Sequence, residues 1–269
     1  MPSDRQGKAR FLGLGFDTSG PAVAAGVILQ KCRGEAFAYV VTPNVDHIVK
    51  LHRTGPEDIL WTAYHEADLC LCDSRILQVL AHRSGIDLPL VTGSDLTFGL
   101  LEQAADGTGL SVAVIGGDGA LARSLARRYP GYQWFHHIPP MGVLADPAAQ
   151  DDIVGFVERT KADLVFFAIG APQSELLCHR IALAGNARGV ALCTGASLEF
   201  VTGAKRRAPV FLQRLKLEWL FRLLSEPTRL WRRYLVEGPA IFGIWYRWHR
   251  QQPPSRAGEY DSTDLGGRR

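Results

Sequence analysis

The stretch LSVAVIGGDGALARSLARRYPG, residues 110–131, passes from an apolar run through three closely spaced glycines into a segment rich in Ala, Leu and Arg. It reads as strand, glycine-rich turn and helix. Gly116, Gly117 and Gly119 allow the backbone to approach a ligand closely, and a helix N-terminus favours phosphate. A turn that is glycine-rich only for packing has the same composition, so this stretch alone leaves nucleotide contact open. Short β-type runs recur on both sides: FLGLGFD (11–17), AYVVTPN (38–44), ADLCLCD (67–73), ADLVFFAIG (162–170) and GVALCTG (189–195). Each is followed by a segment of helical character. That alternation predicts an α/β fold, a Rossmann-like parallel sheet with helices on both faces. Several runs end in Gly, Asn or Asp, which places those residues at the C-terminal strand edge, where open parallel sheets bind ligands.

With 46% apolar and 21% charged residues, the 269-residue chain is globular and long enough for a full core. Its net charge of +3 is unevenly spread. Residues 205–250 hold eleven Lys and Arg against Glu218, Glu226 and Glu237, which leaves the remainder acidic and points to an anionic partner at the C-terminal end. The five cysteines lack zinc or redox spacing and are expected to be buried free thiols of a reducing compartment. No apolar run approaches the ~20 residues that span a bilayer, and no signal peptide is evident. A cytoplasmic protein is expected.

Candidate chemistry lies at the strand ends. Thr42 and Asn44 flank Pro43, and Asp46 reads as a helix cap or first-turn acid. Asp73 closes an apolar strand. A partly enclosed carboxylate there is a candidate general base, while its spacing taken alone favours a helix N-cap. IGAPQSE (169–175) and CTGASLEFVTGAKRRAP (193–209) add strand-end Gly, Gln, Thr and Glu. His47, His52 and His65 form no recognisable ligand cluster, and no metal site is expected.

The alternation stops near residue 203. From Ala208 to Leu224 the apolar positions Phe211, Leu215, Trp219 and Leu223 fall on one helix face. Pro227 interrupts, and Ser225 is placed to cap a second helix carrying Arg229 and Arg233 on one face. Basic residues interleaved with Leu, Trp and Phe suit a membrane-surface segment, and Trp245, Tyr246 and Trp248 suit the headgroup level. Packing of Leu217, Trp219 and Leu223 on the core or on another subunit is the plain alternative. The expected organisation is an α/β domain over 8–203, a helical appendage over 204–252 and a disordered polar tail over 253–269.

Together, TPN (42–44), TGSDL (92–96), GG followed by YPG, G-A-P with Glu175, and RRAPVFLQRLKLEWLFRLLSEPTRLWRRY resemble in order and spacing the WecG/TagA/CpsF-type bacterial glycosyltransferases (glycosyltransferase family 26). That family includes the N-acetylmannosaminyltransferase of wall teichoic acid synthesis. The resemblance runs from about Phe11 to Leu235. It implies inverting transfer of a sugar from a UDP-sugar to an undecaprenyl-diphosphate-linked acceptor for a cell-surface polysaccharide, at the inner face of the plasma membrane, with neither cofactor nor metal required. Carried over by position, Asp73 matches the proposed catalytic base, and Thr42 and Asn44 its active-site strand end. Gly116, Gly117, Gly170, Gln173, Glu175, Thr194 and Gly195 match donor-site elements. Arg207, Arg222, Arg229 and Arg233 match the appendage that meets the lipid diphosphate. A homo-oligomer is compatible with this pattern. The chain departs from the family by having Ser74 and Arg75 where Gly usually follows the aspartate, Ser174 at the usual Gln position, and Leu198-Glu199 for a common Phe-Asp pair.

Two rival readings fit less well. A nucleic-acid-binding module would use the basic segment, but stripes this rich in Leu and Trp make poor solvated grips. A nicotinamide-dependent oxidoreductase is suggested by GLGFDTSG (13–20), which lacks the G-x-G-x-x-G spacing because Thr18 stands three places after Gly15.

Overall fold

The computed structural model describes residues 7–103, 109–205 and 218–252. Its centre is a six-stranded parallel sheet of β3 (Phe37–Val41), β4 (Leu69–Cys70), β5 (Ser111–Gly116), β6 (Gln133–His137), β7 (Leu164–Ala168) and β8 (Gly189–Cys193), ordered β4-β3-β8-β7-β5-β6. The period of two in these strands feeds two cores. Tyr39, Val41, Ala113, Ile115, Val165, Phe167, Ala191 and Cys193 pack on one face, and Ala38, Val40, Val112, Val114, Leu164, Phe166, Val190 and Leu192 on the other. The first face is covered by α2 (Val45–Leu51), α3 (Ile59–His65), α4 (Arg75–Arg83), α7 (Pro147–Thr160) and α8 (Gln173–Ala184). The second is covered by α1 (Pro21–Lys31), α5 (Gly93–Gln103), α6 (Gly119–Arg128) and α9 (Ser197–Val201). The expected Rossmann-like architecture is therefore present.

Two strand readings are corrected. FLGLGFD is not a strand of the parallel sheet but the turn and second arm of an antiparallel hairpin, β1 (Lys8–Phe11) and β2 (Leu14–Asp17). Leu12 and Gly13 have φ of 50° and 87°, so a two-residue turn with both centres left-handed folds the run back on itself. The hairpin docks beside the edge strand through Asp17, whose Oδ2 accepts the Cys70 N–H at 2.7 Å. The missing sixth strand is β6, whose sequence QWFHH carries no apolar run because it lies at the sheet edge and is only partly covered.

After α9 the described chain continues in α10 (Glu218–Ser225), α11 (Pro227–Trp231), a π-helical turn (Arg232–Glu237) and α12 (Ala240–Gln251). Pro227 opens α11 as expected. The residue before it in the capping position is Glu226, while the Ser225 hydroxyl donates back to the Phe221 carbonyl at 2.8 Å and so belongs to the end of α10. The segment 206–217, which holds Phe211, Leu215 and Leu217, lies outside the described residues, as does 253–269. Helix α12 is bound to the body. Ile241 and Ile244 join the first core, Trp248 meets Phe11 edge-on with ring centres 5.2 Å apart, and Trp245 Nε1 donates to Ser84 Oγ at 2.9 Å. All five cysteines are free and buried.

Candidate active site

The C-terminal ends of β3, β8 and β7 and the turn after β5 open onto a cavity of 380 Å³ with a largely polar lining. The β3 end supplies Thr42 and Asn44. Thr42 is 2% exposed, and its hydroxyl donates to the Cys193 carbonyl at 3.0 Å, tying the ends of β3 and β8 together. Asn44 caps α2. Its Oδ1 accepts from the Asp46 N–H at 3.0 Å, and its own N–H donates to His47 Nδ1 at 3.3 Å. Burial, then the nearby Arg233 cation, lowers the His47 pKa to about 4, so the ring is neutral and its nitrogen free to accept.

Asp73 stands just beyond β4, its N–H donating to the Pro43 carbonyl at 3.1 Å, which fixes it against the Thr42–Asn44 turn. The cap of α4 is Ser74, whose Oγ accepts from the Leu77 N–H at 3.3 Å. The cap expected at Asp73 is therefore supplied by Ser74, and Asp73 is among the residues that line the cavity.

Gly117, Gly170, Thr194 and Gly195 also line it, whereas Gly116 and Gln173 do not. Gly116 instead lets β5 approach β7. With φ of 95°, a Cβ there would lie 2.6 Å from Ile169 Cγ2 and 3.1 Å from the Ala168 carbonyl carbon. From α8 the cavity takes Ser174 and Glu175. Glu175 is 1% exposed, its Oε1 accepts from Tyr64 Oη at 3.3 Å, and its Oε2 has no hydrogen-bond partner among the described residues. Burial raises its pKa to about 7 despite the Tyr64 hydrogen bond and the more distant Lys50 charge.

The C-terminal segment closes the site through Arg233. Its Nη2 donates to Asn44 Oδ1 at 3.2 Å and lies 3.5 Å from Asp46 Oδ2, while its buried Nε has no hydrogen-bond partner among the described residues. Asp46 also pairs with Lys50 at 2.9 Å. Burial opposes the Asp46 charge, but Arg233 and Lys50 outweigh it and hold the carboxyl below its ordinary range. Lys205 spans Glu199 at 2.6 Å and Glu226 at 3.5 Å, linking α9 to the C-terminal helices. Arg207 lies outside the described residues. Arg222 and Arg229 fall on α10 and α11, but their side chains are likewise outside the description.

A second cavity of 510 Å³ adjoins the first, and Asn44, Asp46, Asp73 and Arg233 line both. The sequence reading missed the part played by Asp46, Lys50 and Lys205. Asp46, which reads as a cap or first-turn acid, does stand in the first turn of α2 and pairs locally with Lys50, but its contact with Arg233 is too remote in sequence for local patterning to reveal. Among the described residues, no three His, Cys, Asp or Glu side chains are grouped as a metal site.

The model of the WecG/TagA/CpsF glycosyl transferase family matches residues 9–255. A Staphylococcus aureus (strain MRSA252) protein named N-acetylglucosaminyldiphosphoundecaprenol N-acetyl-beta-D-mannosaminyltransferase is 26% identical over 205 residues, 73% of this chain and 74% of its own length. A Bacillus spizizenii (strain W23) protein of the same name is 36% identical over 86 residues, 32% of this chain and 33% of its own. With nearly the whole α/β body and the C-terminal helices inside the matched span, the chain belongs to the WecG/TagA/CpsF family of glycosyl transferases.

Proposed function

We propose that the chain transfers a sugar, with inversion, from a UDP-sugar held in the polar cavity to a hydroxyl of a sugar linked through diphosphate to a polyprenol. The observation that carries this reading is the position of Asp73 on the wall shared by the two cavities, one polar and one largely apolar. The relatives' names describe an acceptor with the same division into sugar, diphosphate and undecaprenyl chain.

In the proposed step the Asp73 carboxylate takes the proton of the acceptor hydroxyl. The hydroxyl oxygen bonds to the anomeric carbon from the face opposite UDP, and the bond from that carbon to the UDP oxygen breaks, so that UDP leaves with the electron pair. Backbone N–H groups of the turns at Gly117, Gly170 and Gly195, with Lys50 and Lys205 on the cavity wall, are assigned to the charge that develops on the leaving diphosphate. No metal is required in this reading. Thr42 and Asn44 position the strand end, and Arg233 is assigned to the acceptor diphosphate.

The same reading places the protein peripherally at a membrane surface. No described helix is long and apolar enough to cross a membrane. Leu224, Trp231, Val236 and Tyr246 are 73%, 51%, 57% and 57% exposed, with Arg232, Arg247 and Arg250 exposed among them. That mixture suits an interface with anionic headgroups. The test is release of UDP from a panel of UDP-sugars with a short-chain polyprenyl-diphosphate sugar acceptor in EDTA. Acceptor-dependent release with one donor is expected. Release that is independent of acceptor, or abolished by EDTA, contradicts the reading.

A further inference from the structure

Thr97, Ser197 and Thr194 form a chain of hydroxyl groups beneath the polar cavity. Thr97 lies within α5 and Ser197 opens α9, two helices that pack together, and the side chains are 0% and 3% exposed. Thr97 Oγ1 donates to Ser197 Oγ at 2.9 Å, with Thr194 Oγ1 3.4 Å away. Ser197 Oγ donates in turn to Thr194 Oγ1 at 2.7 Å. Thr194 therefore accepts from the chain. Among the described residues no group accepts its own hydrogen, and Thr194 lines the cavity.

Other hydroxyls of this fold turn back to the preceding turn of their own backbone. Thr160 donates to the Phe156 carbonyl at 2.9 Å, Thr202 to Leu198 at 3.1 Å, and Ser174, on the same cavity, to Gly170 at 3.0 Å. Thr97 and Ser197 instead carry theirs from one helix to another and on to the end of β8. Each hydroxyl has a single hydrogen, so a chain in which each donates to the next ends on one outgoing donor, here Thr194. Donation along the chain also polarises that last O–H. The rest of the threonine is held by packing. A Cβ at Gly93 would lie 3.3 Å from Thr194 Cβ and 3.5 Å from its Cγ2, so the methyl group rests against the start of α5.

In the sheet, β8 stands between β3, on the side of Asp73, and β7, on the side of the glycine turns at Gly170 and Gly117. The anionic oxygens of a UDP-sugar belong to its diphosphate, and an anionic acceptor gains most from a polarised neutral donor. We infer that Thr97 and Ser197 are positioning residues that hold the Thr194 hydroxyl as a hydrogen-bond donor to the diphosphate of the nucleotide sugar. This inference rests on the donor class proposed above, and adds two buried residues that touch no substrate yet set how firmly the diphosphate is held.

The test is a binding measurement that needs no turnover. UDP and uridine are titrated calorimetrically into the full chain, as wild type, Thr194→Val, Ser197→Ala, Thr97→Val, Thr97→Ser, and the double variant Thr97→Val with Thr194→Val. Uridine lacks the diphosphate and serves as the reference on each folded protein. The preference for UDP over uridine is expected to fall about tenfold in Thr194→Val. In Ser197→Ala and Thr97→Val it should fall about fivefold, and Thr97→Ser, which restores the hydroxyl, should recover it. The double variant should lose no more than Thr194→Val alone, because Thr97 acts only through Thr194. A Thr97→Val loss as large in the Thr194→Val background as in the wild type, or an equal weakening of uridine, would overturn the inference. No preference for UDP in the wild type would remove the donor reading and the inference together. A preference indifferent to Thr97 and Ser197 would remove the inference alone.

Discussion

Asn44 and Asp73 hang from the ends of buried strands, whereas Arg233, which faces the same two cavities, hangs from a π-helical turn held by side-chain contacts. The strand ends are fixed by ladder hydrogen bonds, by the Thr42–Cys193 link and by the caps of α2 and α4. The C-terminal side is fixed by Arg233 to Asn44 and Asp46, by Lys205 to Glu226, and by Ile241, Ile244 and Trp245 against the body. The difference teaches that the carboxylate proposed as the base is placed by folding of the sheet itself, while the cation beside it is placed by docking, a weaker and more adjustable attachment.

Substitutions on the two sides should therefore separate. The largest effect is expected from Gly116→Ala, where a positive φ and a contact at 2.6 Å combine. A loss of about 4 kcal/mol or more in chemical denaturation is predicted, with weakened donor binding in whatever remains folded.

Glu175 supplies the next test of the rigid side. Its carboxyl has a folded pKa of about 7 against an ordinary value of 4.5. Its stabilising contribution is thus complete below about pH 4.5 and is lost as pH rises through 7. Denaturation of the wild type relative to Glu175→Gln should show a deficit growing between pH 5 and pH 8, reaching on the order of 3 kcal/mol. A constant difference across that range would mean the acid is not held protonated by burial.

On the docked side, Arg233→Ala should leave stability within about 1 kcal/mol but raise the acceptor KM roughly 30-fold, with the donor KM unchanged. Arg233→Lys should recover only part of this, because an ammonium does not reproduce the guanidinium fork. The smallest effect is expected for Trp245→Phe, which removes one hydrogen bond to Ser84 and should cost about 1 kcal/mol with little change in kcat. If Trp245→Phe instead impaired turnover as much as Arg233→Ala, the distinction between placement by folding and placement by docking would collapse.

The parallel sheet was legible because its strands are buried on both faces and read as continuous apolar runs. The exceptions have physical causes. FLGLGFD matches a strand in composition, yet its Leu12–Gly13 centre is a turn. QWFHH is a strand without the composition because it lies at the edge. At the site, Asp73, Asn44, Thr42 and Glu175 were legible as strand-end or first-turn residues. Spacing alone favoured Asp73 as the α4 cap over a general base, whereas the cap is the next residue, Ser74. Nor did spacing show that Asp46 meets Arg233, because ion pairing across the tertiary fold leaves no local periodicity.

The most direct test is the single-turnover rate of Asp73→Asn with a UDP-sugar and a lipid-linked acceptor, alongside UDP affinity of the same folded protein. With Asp73 as the base, transfer is expected to slow roughly 1,000-fold, with UDP affinity changed by no more than about twofold. Wild-type transfer by the folded Asp73→Asn protein would contradict it and remove the carboxylate from the reaction.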